Sequence, residues 1–212
     1  MGPGRQEPDS GDEMSTWDER YARDGWAFGT EANDFLREEA RRIPPGRVLC
    51  LGEGEGRNAV FLAERGYEVV AVDRSQVGMD KAQELARKRE VSIETVVTSV
   101  EGLDLKDGEW EGIVSIFFHL PSDLRKRIHT AVARGLAPGG ILILEAYTPR
   151  QAGFGTGGSP HPERLVSLET LHEELGALDF LVAREVEREV HEGRMHTGLG
   201  SVVQVVARRR RR

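Results

Sequence analysis

Val48-Leu49-Cys50-Leu51-Gly52-Glu53-Gly54-Glu55-Gly56-Arg57-Asn58 decides how this chain folds. Four apolar residues run into three glycines spaced two apart, then into the helix-like run Ala59-Val60-Phe61-Leu62-Ala63-Glu64-Arg65, which stops at Gly66. The pattern reads as strand, tight turn and helix. Glycines without a Cβ let a nucleotide-like ligand approach a helix N-terminus closely. A glycine pattern alone is a weak signal, and its plain alternative is a simple strand-to-helix turn with Glu53 and Glu55 in solvent.

The two carboxylates bear on the ligand. A dinucleotide would place its diphosphate on this turn, and like charges about 4 Å apart repel by roughly 1 to 4 kcal/mol at water-like to surface-like dielectric. The dinucleotide fingerprint also wants a glycine where Arg57 stands. S-adenosylmethionine suits the turn better, because it has no phosphate and carries a sulfonium and an ammonium beside one carboxylate. Arg57 in the first helical turn opposes the macrodipole by a few tenths to about 1 kcal/mol, so it either points into solvent or meets an anion. The next expected strand, Tyr67 to Val72, ends in Asp73, 19 residues beyond Gly54. An acid at that distance accepts hydrogen bonds from a ribose diol.

The 212 residues, 38% hydrophobic and 31% charged, suit one globular domain. No apolar run reaches the roughly 18 residues of a membrane span, and no signal-peptide core follows Met1, so a cytoplasmic protein without membrane contact is expected. Cys50 is the single cysteine and lies in an expected strand, which makes it a small buried hydrophobe; with six scattered histidines, no metal site is expected. The formal charge is −7, and without Arg208 to Arg212 it is −7 − 5 = −12. That balance argues against nucleic acid as a partner, with the arginine end as its one possible point of contact.

Residues 1–13, rich in Gly, Pro, Asp and Glu, read as a disordered extension, with Met14 a candidate start. A single domain is expected over 14–208, followed by an arginine tail at 209–212. Trp17, Tyr21, Trp26, Phe28 and Phe35 fall in a short helix, a loop at 25–30 and a helix over 32–42; their rings either pack helices onto a sheet or cap the ligand. Further on, strands at 69–72, 93–97, 112–117 and 140–146 alternate with helices at 76–89 and 123–135, which predicts a parallel sheet with right-handed crossovers. After a helix at 167–175, β-rich segments at 180–190 and 200–207 are joined by residues 191–198. That connection is too short for a crossover helix, so a hairpin is predicted.

From about Trp17 to Arg208 the chain resembles the class I S-adenosylmethionine-dependent methyltransferases. Gly52 to Gly56 resembles the first motif of that family, Asp73 its acid after strand two, and Leu136-Ala137-Pro138-Gly139-Gly140 the turn before its fifth strand. Gly-Arg-Asn after the glycines and Ser115-Ile116-Phe117-Phe118-His119-Leu120-Pro121 are similar to the tellurite-resistance and thiopurine-methyltransferase-like branch. Cys50 departs from the pattern, standing where many members carry an acid. The resemblance implies a Rossmann-like α/β fold: a seven-stranded, mostly parallel sheet in order 3-2-1-4-5-7-6, last strand antiparallel, with helices on both faces. It implies that Gly52, Glu53, Gly54, Gly56 and Arg57 hold the methionine part of the cofactor, Asp73 the ribose, and Arg74, Ser99 and Val100 the adenine.

His119, at the carboxyl edge after the fourth strand, and His191 and Arg194, in the hairpin connection near His196, are the catalytic candidates. Each also reads as an ordinary polar loop residue. Methyl transfer is an in-line displacement in which alignment in a dry pocket can dominate the rate; a general base is needed only if the acceptor carries a proton. Gly153 to Gly158 is either a lid or a plain loop. The expectation is a methyltransferase acting on a small-molecule nucleophile, a thiol or a chalcogen or metalloid oxyanion. Its rivals are a non-catalytic S-adenosylmethionine-binding module and a methyltransferase for RNA or protein.

Overall fold

The computed structural model describes residues 17–211. The expected extension at 1–13 and the candidate start at Met14 lie outside them. Seven strands form one sheet: β1 (Arg47–Leu51), β2 (Glu68–Asp73), β3 (Glu94–Val97), β4 (Trp110–Ile116), β5 (Leu136–Tyr147), β6 (Leu178–Glu192) and β7 (His196–Arg209). Their order is β3-β2-β1-β4-β5-β7-β6, as the resemblance implied. The pairs β1·β2, β1·β4, β2·β3 and β4·β5 are parallel, whereas β7 runs antiparallel to both β5 and β6.

The helices are α1 (17–21), α2 (Asp34–Glu39), α3 (Arg57–Glu64), α4 (Gln76–Lys88), α5 (Ser122–Gly135) and α6 (Leu168–Glu174). The near-continuous apolar runs of the central strands follow from burial on both faces. Along β1, Val48 and Cys50 join Phe35, Leu36, Leu62, Met79 and Leu85 of α2, α3 and α4 in one core. Leu49 and Leu51 point the other way, into a core with Ile128 and Val132 of α5 and Leu171 of α6. Full burial of a Leu or Ile side chain stabilises by roughly 1.5–3 kcal/mol, so a one-residue slip of β1 would exchange two filled faces.

Three boundaries differ from the sequence reading. Leu136 to Gly140, expected as a turn, belongs to β5, with a register shift opposite Trp110 and Gly112. Gly139 at φ +86° absorbs the irregularity, and a Cβ on Gly140 would come within 2.8 Å of the Trp110 carbonyl oxygen. The expected connection at 191–198 is mostly strand: His191 pairs with Thr197 and Glu192 with His196. Gly193 at φ +66° makes the tight turn possible, and the polar composition there hid the strand alternation. Arg209, expected in a free tail, ends β7 and donates from Nη1 to Leu136 O at 2.5 Å, to Asp107 Oδ1 at 2.7 Å and to Arg134 O. Among the described residues no helix is long and apolar enough to cross a membrane, and no cluster of three or more His, Cys, Asp or Glu is placed to hold a metal ion.

Candidate active site

The glycine turn follows β1 at the carboxyl edge of the sheet, where open α/β sheets form their ligand crevice. Gly52, Gly54 and Gly56 have φ of +61°, +62° and +90°, a region that L side chains rarely adopt. Gly56 has a second reason to lack a side chain: a Cβ there would stand 2.5 Å from the Ala82 Cβ and 2.6 Å from its Cα, so the glycine lets α4 pack against the start of α3.

Gly56 cannot cap α3, and Glu53 does so instead. Its Oε1 accepts from Asn58 N at 2.9 Å and Ala59 N at 2.8 Å, which answers two of the orphan amides at the helix start. Burial pushes the Glu53 carboxyl up to about 7, against the pull of those amides and of Arg57. Glu55 is committed elsewhere, accepting from Ala27 N at 2.7 Å and from Lys81 Nζ at 3.1 Å. The two acids that stood out in the sequence therefore turn their carboxylates into protein contacts, and what they offer a ligand on the turn is main chain. Arg57 meets an anion, as one of the two sequence alternatives required, and that anion is the Glu192 carboxylate of β6.

Asp73 ends β2 beside the turn. Its Oδ2 accepts from Gly54 N and its Oδ1 from Ser75 N, both at 2.9 Å. Burial raises its carboxyl above the usual range, opposed by the amides of Ser75 and Gly54. Arg74 follows, half-buried. Ser99 caps the 3-10 turn Val100–Gly102, and its Oγ donates to Glu101 Oε2 at 2.5 Å; Val100 is buried. Thr98 N donates to Asp73 O at 2.9 Å and draws this turn against β2. Gly52 to Gly56, Asp73, Arg74, Ser99 and Val100 thus gather at the carboxyl ends of β1, β2 and β3.

This constellation fits S-adenosylmethionine. Each Asp73 oxygen accepts from a main-chain amide, Oδ2 from Gly54 and Oδ1 from Ser75, and keeps capacity for a ribose hydroxyl. The turn presents main chain, and Arg57 beside it is paired with Glu192, so the turn brings no unpaired arginine of its own to a diphosphate. Aromatic rings supply the roof. A Cβ on Gly54 would lie 2.6 Å from the Tyr21 Oη, and one on Gly52 would lie 2.2 Å from the Phe118 ring. Tyr21 of α1 is buried, and that burial, with Asp73 and Glu55 close by, holds its phenol well above its ordinary pKa. The segment holding Tyr21 is tied down by Ser75 Oγ donating to Asp18 Oδ1 at 2.5 Å and by Lys81 Nζ donating to the carbonyls of Arg23 and Gly25.

Past the ends of β4 and β5 lies a second feature that the sequence reading largely missed. Phe117, at φ +51°, is one of two described non-glycine residues with positive φ, a strain that collects at functional sites. Its ring stacks on Tyr147 at 4.6 Å between centroids and meets His196 edge-on at 5.0 Å. His119 lies near-parallel to Tyr147 at 5.7 Å and 6.4 Å from Phe117, and Phe28 lies 4.7 Å from His196. Tyr147 is 0% exposed, yet its hydroxyl has no hydrogen-bond partner among the described residues, and neither has the buried Nδ1 of His196. Burial holds the His119 imidazole down at about 4 and that of His196 at about 3, the latter against the raising pull of Glu192. Both rings are neutral at pH 7.

Of the three catalytic candidates, the structure brings only His119 to this box. His191 is 71% exposed at its side chain, with Glu189 Oε2 4.0 Å away, and Arg194 donates to Asp24 O at 2.8 Å on the outer surface. The reason is strand alternation: pairing of Glu192 with His196 carries the inward side to His196 and leaves Arg194 at the turn. Gly157 covers the box, since a Cβ on it would stand 2.9 Å from the Tyr147 Oη and 3.1 Å from the His196 ring. Tyr147 and Glu145 carried one readable sign, an acid and a phenol closing the otherwise apolar run Ile141-Leu142-Ile143-Leu144.

Residues 48–140, from β1 to the start of β5, match the family model of a methyltransferase domain. The chain is 28% identical over 145 residues to a 2-heptyl-1-hydroxyquinolin-4(1H)-one methyltransferase of Mycobacteroides abscessus, covering 66% of this chain and 63% of that relative. It is 30% identical over 142 residues to a glycine/sarcosine N-methyltransferase of Halorhodospira halochloris, covering 65% of this chain and 50% of the relative. The chain thus spans about half to under two thirds of the length of these relatives. The structure of TehB from Haemophilus influenzae superposes with a TM-score of 0.69 at 20% identity, over 93% of this chain and 67% of that one, a likeness of fold. The strand order is the one that the resemblance to the class I S-adenosylmethionine-dependent methyltransferases implied, and residues 48–140 carry the match to a methyltransferase domain.

Proposed function

We propose that this chain transfers a methyl group from S-adenosylmethionine to a small, uncharged, soft nucleophile, a thiol or related chalcogen centre, received between Tyr147, His196, His119 and Phe117. The observation that carries the reading is the pair of buried, unpartnered polar atoms, Tyr147 Oη and His196 Nδ1, set in aromatic walls at the same sheet edge as the glycine turn. A buried polar group without a partner costs roughly 1–3 kcal/mol. Such atoms make sense where a ligand completes them.

When bound, S-adenosylmethionine supplies a methyl group already activated on a sulfonium. Asp73 and the Gly52 to Gly56 backbone would fix that donor, and the Tyr147 hydroxyl would orient the acceptor by donating to it. The walls exclude water, so orientation and desolvation carry the rate. A neutral thiol becomes a strong acid as its sulfur takes the methyl carbon. The neutral Nδ1 of His196 is a suitable place for that proton even though burial makes the imidazole a weak base.

The same electrostatics favour an uncharged acceptor over tellurite or selenite. Arg57 and Arg188, the guanidiniums that bear on Tyr147, are both bound to carboxylates, while Arg164 bears on His119 and Arg20 on His196. The cluster of rings Phe117, Tyr147 and His119 also favours a second reading, a planar hydroxylated heteroaromatic acceptor of the kind named for the Mycobacteroides relative. The chain's charge of −7 disfavours RNA. The Gly153 to Gly158 loop would be the cover that opens for entry; it is pinned by Thr156 Oγ1 donating to Leu199 O at 2.5 Å. The test is S-adenosylhomocysteine release with a panel of thiols, hydroxyquinolones, selenite and tellurite. Turnover with thiols that Tyr147→Phe impairs supports the reading, and turnover with the oxyanions alone overturns it.

A further inference from the structure

Between the glycine turn and the aromatic box lies a buried set of charges that the methyl-transfer reading does not use. Asn33 is its hub. Its Oδ1 caps α2 by accepting from Leu36 N at 2.9 Å, its main-chain N–H donates to Asn58 Oδ1 of α3 at 3.0 Å, and its Nδ2 donates to Glu145 of β5 at 2.5 Å and to Glu192 of β6 at 2.8 Å. Arg188 grips Glu145 with two bonds, Nε to Oε1 at 2.9 Å and Nη2 to Oε2 at 2.7 Å, and reaches Glu192 at 3.2 Å. Arg57 pairs with the other Glu192 oxygen, and Gln204 of β7 donates to Glu145 at 2.6 Å. Glu145 and Gln204 face each other in register within the otherwise apolar runs 141–146 and 202–207.

Two guanidiniums and two carboxylates leave this set neutral, and its acids are 0% and 5% exposed. Replacing a buried ion network by apolar side chains of similar volume is often neutral or stabilising, so stability alone does not account for it. Its position does. Arg57 directly follows Gly56 of the turn, Glu192 is paired across the hairpin with His196, and Glu145 lies two residues before Tyr147. The same hairpin tip touches the roof segment: Met195 N donates to Ala27 O, and a Cβ on Gly193 would come within 2.5 Å of Ala27 O and Gly29 N.

Building on the methyl-donor reading of the turn, we propose that the Arg57–Glu192 pair, held by Asn33, Arg188 and Glu145, is a positioning relay through which occupancy of the glycine turn sets the β6–β7 hairpin, and with it His196, for the acceptor. Coupling between sites is reciprocal and falls in the range of about 5- to 150-fold. A contiguous set of contacts is only a route, and a measured coupling establishes it.

The test is hydrogen–deuterium exchange on the full chain with and without S-adenosylhomocysteine, with affinity read separately by calorimetry. In the wild type, ligand slows amide exchange across 190–198 by at least about fivefold. The double variant Arg188→Gln/Glu192→Gln, which breaks the Arg57–Glu192 pair while removing one charge of each sign, still binds S-adenosylhomocysteine but loses that slowing, whereas Arg188→Lys keeps it. Arg188→Met/Glu192→Leu serves the same purpose if the glutamine pair does not fold. Equal slowing in wild type and double variant overturns the relay, as does a wild type that binds the ligand with no change at 190–198. A wild type that fails to bind S-adenosylhomocysteine removes the methyl-donor reading itself, and the relay with it.

Discussion

Replacing Glu53 by Gln isolates the cost of holding an acid beneath the glycine turn. Burial lifts the Glu53 carboxyl from 4.5 to about 7. One pH unit of such a change corresponds to about 1.4 kcal/mol, so the whole change is worth about 3 kcal/mol. Between pH 4.5 and 7 the folded chain retains a proton that the unfolded chain has released, and wild-type stability therefore falls as pH rises through that window and levels off above it. Gln is neutral at every pH, and its Oε1 can still accept from Asn58 N and Ala59 N, the bonds that hold the first turn of α3. The stability difference, variant minus wild type, should grow from near zero at pH 4.5 to about 3 kcal/mol at pH 8. His119 and His196 act in the opposite sense: their depressed folded pKa values add stability above about pH 6.5 that is lost as pH falls toward 4 and 3. Taking the difference cancels them. Urea unfolding at pH steps from 4.5 to 8 measures it, and parallel curves for the two proteins would refute the burial argument.

Asp73→Asn keeps the shape of the acid but not its charge, and hydrogen bonds to charged groups contribute roughly 1.5–3 kcal/mol. Calorimetry should show S-adenosylhomocysteine affinity weakened by roughly 10- to 100-fold, against an unchanged fold by circular dichroism. Gly56→Ala forces a left-handed alanine against the Ala82 backbone, and thermal unfolding should report a loss of about 3 kcal/mol, the sum of a dihedral and an overpacking penalty. Tyr147→Phe removes a hydroxyl with no partner among the described residues, so melting temperature should hold or rise while acceptor KM rises about tenfold; a fall in stability with unchanged KM would assign the hydroxyl a structural role.

The sheet was legible because its signal is local. Apolar runs of four to seven residues, broken by helices of the right length, fix alternation of strand and helix, and the glycine turn fixes which crossover carries the ligand edge. Asp73 could be placed by counting, since a β-strand and one crossover helix occupy a set length of chain. What stayed hidden depends on long-range pairing. The destinations of Glu53 and Glu55 follow from where α3 and the segment at Ala27 pack, which no spacing reveals. The choice of His196 over His191 and Arg194 turns on the register of β6 against β7, and one residue of slip exchanges inside for outside. Positive φ at Phe117 has no sequence mark at all, whereas Glu145 and Gln204, lone polar residues in the apolar runs 141–146 and 202–207, were a signal that could have been followed.

The glycine turn with Asp73 beside it is proposed to take a sulfonium methyl donor and not a dinucleotide. Parallel calorimetric titrations of the wild-type chain with S-adenosylmethionine and with NADH test it directly. The structure predicts micromolar binding of the first and no measurable binding of the second, and tight NADH binding with S-adenosylmethionine excluded would contradict it.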